Sequence, residues 1–123
     1  MIHISGLDHV QVAMPKGQEA IARGFYAKLL GMEELAKPQG TAARGGVWFK
    51  CGDLQFHLGV EEPFSPARKA HPAFRVRDYE LLLAKLSTNG VAVSRDRVLA
   101  GVERAFVHDP FGNRIELIKS DFA

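Results

Sequence analysis

His9, His57, His71 and Glu116 are the residues of this chain whose types suit joint chemistry. Each lies in a short apolar run: Leu-Asp-His-Val-Gln-Val at 7–12, Leu-Gln-Phe-His-Leu-Gly-Val at 54–60, His-Pro-Ala-Phe-Arg-Val at 71–76 and Asn-Arg-Ile-Glu-Leu-Ile at 113–118. Successive side chains of a strand point to opposite faces, so a residue out of phase with the core residues faces away from the core. His9 shares a face with Gln11 and Ala13, and His57 with Gln55 and Gly59. His71 aligns with Ala73 and Arg75, and Glu116 with Arg114 and Ile118. If the apolar faces lie against helices, all four point to the other side of the sheet. Neutral imidazole and carboxylate together suit a borderline divalent cation.

Competing roles are available to each residue. A strand histidine is by default a hydrogen-bonded structural residue. Glu116 could instead pair with Arg75 or Arg114, since an inward carboxylate is costly unless paired or ligating. Arg75 is a candidate clamp for a substrate carboxylate or phosphate, because a guanidinium meets those groups with two hydrogen bonds. Trp48 and Phe49 are adjacent, so on either parity one aromatic faces the ligand side. Trp48 and Gln11 are therefore candidate substrate contacts, although packing is the plainer role for an aromatic. Arg44 and Arg104 fit a rim, and His3 and His108 a surface or turn.

The elements that must position these residues read as two copies of one unit. The first opens with a strand at 7–14, broken by Pro15-Lys16-Gly17. A helix follows at 18–30, with Ile21, Phe25 and Leu29 in its buried stripe, widened by Ala22, Tyr26 and Leu30. Gly31 stops it in a left-handed conformation. A weak strand at 32–37, a Gly/Ala-rich loop at 40–46 and a hairpin of 47–51 with 54–60, turned at Gly52-Asp53, complete the copy. A polar, proline-interrupted connector spans 61–70. The second copy has a strand at 71–77 and an Asp78-capped helix at 79–89, buried through Tyr79, Leu82, Leu83 and Leu86 and stopped by Gly90. Its strands at 91–95, 103–108 and 113–119 follow, the last two joined by the turn Asp-Pro-Phe-Gly-Asn. The modules run over about 1–62 and 70–123 of one domain.

With 123 residues, 46% of them hydrophobic, the chain can bury a real core. The formal charge of +2 is dispersed, which argues against a nucleic-acid partner. No apolar stretch reaches the ~20 residues of a membrane span, and no signal peptide is apparent, so the expected location is the cytoplasm, without a membrane partner. The one cysteine, Cys51, reads as a buried filler.

Leu-Asp-His-Val, Phe-Tyr-Ala-Lys-Leu-Leu-Gly-Met at 25–32, His-Pro-Ala-Phe-Arg-Val and the stretch 105–117 resemble the glyoxalase, bleomycin-resistance and extradiol-dioxygenase family, the vicinal oxygen chelate superfamily. The resemblance implies an α+β fold of paired βαβββ modules, forming a curved, cup-like mixed sheet with the helices outside. In that family the first and last strands of each module supply metal ligands, positions that map to His9, His57, His71 and Glu116. The members of each pair lie 48 and 45 residues apart. The implied cofactor is one divalent ion, Ni, Mn, Fe, Co or Zn, and the implied partners are a small-molecule substrate and a second copy in a homodimer, often with modules exchanged. The implied function is a metal-dependent lyase, isomerase or dioxygenase acting by bidentate oxygen chelation, with His57 as fourth ligand or general base.

Departures from the family pattern narrow this. His57 stands where glyoxalase I-like enzymes carry a catalytic glutamate, Ala13 where they carry a glutathione-binding arginine, and Glu61 where an asparagine is expected. Extradiol dioxygenases need two histidines and a carboxylate, which His9, His71 and Glu116 satisfy, but a fourth ligand at His57 would take a position that oxygen or catechol needs. Fosfomycin-modifying relatives carry basic residues beyond the last ligand, and bleomycin-binding relatives prefer an acidic groove. The alternative is a metal-free protein that binds an antibiotic or other small molecule in the same fold.

Overall fold

The computed structural model describes residues 1–96 and 100–120, and they divide into two compact units, Met1–Ser65 and Pro66–Ala123. The first contains β1 (His9–Met14), α1 (Glu19–Arg23) continued by a π-helical turn (Gly24–Leu29), β2 (Glu33–Leu35), a 3-10 turn (Ala42–Arg44), β3 (Val47–Cys51) and β4 (Leu54–Val60). Its sheet runs β1-β4-β3-β2, with β1 parallel to β4 and the other pairs antiparallel. The second contains β5 (Ala73–Val76), α2 (Tyr79–Thr88), β6 (Ser94–Arg95), β7 (Arg104–His108) and β8 (Arg114–Lys119). Its sheet repeats the plan as β5-β8-β7-β6, with β5 parallel to β8. The fold is α+β, each unit being strand, helix and three strands.

In the first unit the apolar phase of the strands buries Met14, Val47, Phe49, Phe56 and Leu58. The Tyr26 ring, fully buried, sits 5.7 Å from the Phe49 ring and 5.3 Å from that of Phe56. In the second, Tyr79, Leu83 and Leu86 of α2 are buried, as are Ala105, Val107, Ile115 and Leu117 of the strands. The turn before β8 is tied by Asp109, whose Oδ1 accepts the backbone N–H groups of Phe111 and Asn113 at 2.9 and 2.8 Å. Gly112 takes φ 91° there, a conformation open to glycine. This turn fixes the phase of β8 and hence the face on which Glu116 stands.

Several sequence expectations are corrected. β1 starts at His9 rather than at residue 7, and Leu7 is 66% exposed. With His9 opposite Gln55, Leu7 would fall opposite the Gly52-Asp53 turn, where β4 offers no ladder. The helix over 18–30 is α-helical only to Arg23; Leu30 N–H then donates to Phe25 O, five residues back, at 2.9 Å. The wider turn rotates the stripe, which buries Ala22, Phe25 and Tyr26 and leaves Ile21 half exposed. Leu29, Leu30 and Leu82 are only partly buried. Asp78 occupies the N-cap position of α2 but makes no capping bond through its side chain. The strands expected at 32–37, 71–77 and 91–95 shorten to β2, β5 and β6, and residues 97–99 and 121–123 lie outside the described residues. Gly31 and Gly90 do take left-handed φ values of 74° and 81°. Among the described residues no helix is long and apolar enough to cross a membrane.

Candidate functional site

Each unit brings one pair of the candidate residues together. In the first, β1 and β4 carry His9 and His57, and β3 places Trp48 directly opposite His57. The three rings form a column: Trp48 and His57 stack at 4.0 Å with planes 1° apart, and His57 and His9 at 4.5 Å and 16°. His57 is 4% exposed, so only its ring edge is open to approach. His57 Nε2 lies 2.8 Å from Gln55 Oε1. The amide oxygen is an acceptor, so Nε2 carries the proton and the lone pair resides on Nδ1. Burial, then repulsion from His9, holds the His57 pKa below its ordinary value. His9 Nδ1 is 2.8 Å from Asp8 Oδ1, which leaves Nε2 for another partner. Gln11, opposite His57 in register, lays its amide over Gly59; a Cβ there would lie 2.6 Å from Gln11 Nε2. Phe49 is the aromatic that turns to the core.

A cleft of about 450 Å³ opens at the far edge of this sheet, between Trp48, Leu35, Lys37, Glu19, Arg23 and Glu34. Its charged groups have partners: Arg23 Nε meets Glu34 at 2.8 Å, while Lys37 donates to the backbone oxygen of Gly45 and Glu19 Oε2 accepts the Gly46 N–H at 2.9 Å.

In the second unit His71 lies two residues ahead of β5 rather than in a strand, and Glu116 is on β8. Pro72 O accepts the Glu116 N–H at 3.0 Å and brings the two residues side by side. His71 Nε2 is 2.9 Å from Glu116 Oε1, while Nδ1 is 3.0 Å from Lys69 O. Both ring nitrogens thus face oxygen acceptors. Nδ1–H donates to the carbonyl, and a cation, whether a proton or a metal ion, is needed between Nε2 and the carboxylate. The Glu116 side chain is 8% exposed, and its second oxygen is 3.4 Å from Arg104 Nη1. The ion-pair partner of Glu116 is therefore Arg104, not the expected Arg75 or Arg114. Arg75 stands exposed on β5 opposite Ile118, and among the described residues it makes no ion pair.

The two units differ in how their donors suit a divalent ion. The second unit fits: imidazole and carboxylate adjoin, and the other histidine nitrogen is anchored to a backbone carbonyl, the usual support for a ligating ring. The first unit offers one ligand rather than two as arranged. An ion lies near the plane of each imidazole that binds it, and two nearly parallel rings share no such nearby point. Among the described residues no group of three or more His, Cys, Asp or Glu side chains is arranged to hold a metal ion.

Sequence reasoning missed Gln55 as the hydrogen-bond partner of His57, although its phase was legible. It also missed Arg104 as the partner of Glu116 and the guanidinium–aromatic cluster around Phe106 described below.

A sequence profile of the Glyoxalase/Bleomycin resistance protein/Dioxygenase superfamily matches residues 6–117. Among solved structures, a Bacillus anthracis protein described as of the glyoxalase family is 48% identical, with 98% of each chain covered and a TM-score of 0.93. A lactoylglutathione lyase of Agrobacterium tumefaciens (19% identity, 96% of each chain, TM-score 0.73) shares the fold. So does a fosfomycin resistance protein of Listeria monocytogenes (16% identity, 96% of this chain and 95% of that one, TM-score 0.77). A search of curated proteins gave no match.

Proposed function

Because the chain belongs to the glyoxalase/bleomycin resistance protein/dioxygenase superfamily, we propose that it is a metal-dependent enzyme of the lyase, isomerase or dioxygenase type acting on a small oxygen-bearing molecule. The observation that carries this reading is the His71–Glu116 pair, a buried carboxylate 2.9 Å from an imidazole whose other nitrogen is anchored. His71 and Glu116 would hold an ion in the second unit, and in the first His9 Nε2 is the nitrogen left open to one. The stacking of His57 between Trp48 and His9 favours a proton-carrying role over ligation for that residue. A divalent ion held there (Ni, Mn, Fe, Co or Zn) would supply Lewis acidity toward substrate oxygen.

The chain's own residues do the rest. His57, neutral near physiological pH, accepts a substrate proton at Nδ1, and Gln55 holds the tautomer that leaves Nδ1 basic. Trp48 and His9 shield the two ring faces from water. Gln11 and Arg75 orient polar substrate groups, Arg75 through a carboxylate or phosphate.

Titration calorimetry with Ni, Mn, Co, Fe and Zn ions tests the reading. Wild type binds one ion per set of ligands, and His71→Ala and Glu116→Ala each weaken binding at least about tenfold. Wild type that takes up none of the five would sink the proposal. The second reading, metal-free small-molecule binding, is favoured by the stacked imidazoles and by the missing three-donor group among the described residues. It predicts ligand-induced stabilisation that persists in a chelator and in both alanine variants.

A further inference from the structure

On the face of the second sheet that carries Glu116, Arg114 is seated on an aromatic ring with no anion to meet it among the described residues. Arg114 stands two residues before Glu116 on β8, so the two side chains leave the same face about 7 Å apart. Phe106 on β7 is directly opposite Glu116. The Arg114 guanidinium lies over the Phe106 ring, 4.1 Å from its centroid. Arg104 also lies over that ring, at 5.3 Å, but it is neutralised by Asp96 at 2.7 Å and Glu116 at 3.4 Å. Among the described residues Arg114 makes no ion pair. It is half-buried rather than extended into solvent. The ring fixes the plane of the guanidinium, and its N–H edge stays available beside the His71–Glu116 pair.

We infer that Arg114, seated on Phe106, is an oxyanion-binding residue, and that the substrate of this site carries a carboxylate or phosphonate group next to its chelating oxygens. The inference deepens the metal-dependent reading and rests on it only for those neighbouring oxygens. A planar fork held by an aromatic loses little freedom when it takes up a two-oxygen anion, which is why this arginine discriminates charge. Arg104 is spent on Asp96 and Glu116, and exposed Arg75 has no ring beneath it.

The test follows the Arg114 side-chain N–H resonance, assigned by its loss in Arg114→Gln, during titration with glycolate, hydroxymethylphosphonate and neutral hydroxyacetone. Chloride at matched ionic strength is the control, and folding of each variant is checked by its melting curve. Glycolate or hydroxymethylphosphonate shifts the resonance saturably while chloride does not, and the tighter of the two identifies the group as carboxylate or phosphonate. Calorimetry then shows Arg114→Gln weakening the bound anion about ten- to a hundredfold while hydroxyacetone binds unchanged. Arg114→Lys recovers part of the loss, and Phe106→Leu weakens the anion severalfold with the charge intact. Equal loss for charged and neutral probes, or no saturable shift with either anion, overturns the inference. Metal titration separates the two claims. Arg114→Gln that still binds its ion but not the anion supports this inference with the metal reading intact. Wild type that binds the anion but no ion refutes the metal reading, and with it the chelating oxygens, and leaves the anion-binding role of Arg114 standing.

Discussion

His57 is boxed in by Trp48 on one face, His9 on the other and Gln55 at Nε2, so its proton affinity is set by its surroundings. Desolvation, then repulsion from His9, depresses its pKa from the ordinary 6.5. The unfolded chain therefore takes up this proton at higher pH than the folded one. The contribution to stability is full above about pH 6.5 and is lost as pH falls through the folded value. In metal-free protein, His57→Gln should lose less melting temperature than wild type between about pH 7 and pH 5. An NMR titration should place the His57 midpoint below that of a free imidazole. The identities of the candidate pairs could be read from strand phase and family spacing. Their partners could not, because Glu116 had three arginines in range of its face. Only the tilt of Arg104 toward Asp96 and the seating of Arg114 on Phe106 decide between them.

At the scale of elements, alternation and turn residues identified every strand and both helices, and failed where a neighbour sets the limit. Leu7 has the right phase for β1, but the strand beside it has already turned. The π-helical turn keeps Phe25 and Tyr26 buried against Phe49 and Phe56 while turning Ile21 outward, a shift that four-residue spacing does not encode. The approach to β3 depends on Gly46, at φ 94°, where a Cβ would lie 2.3 Å from the carbonyl oxygen of Leu58. That obstacle is backbone, so it cannot rotate away. Gly46→Ala should destabilise the protein by about 2 kcal/mol or more in denaturant unfolding. By contrast, Gly59→Ala meets only the end of the Gln11 side chain and should change stability by less than about 1 kcal/mol.

Over the whole molecule, the boundary between the two compact units falls after Ser65, within the connector read from its prolines and charges. Residues 61–70 carry no regular secondary structure, and Arg68 and Lys69 are exposed. Backbone of this kind is where proteases enter first. Limited trypsin digestion should cut after Arg68 or Lys69 before any other bond, as mass spectrometry of the first fragments would show. In both units the paired residues meet through a parallel ladder, β1 with β4 and β5 with β8, that joins the opening of the unit to its close. Neither pair can assemble from a partial unit. During synthesis the His9–His57 contact must await the 48 residues that separate its members, so nascent segments pass the ribosome exit before any of this chemistry exists.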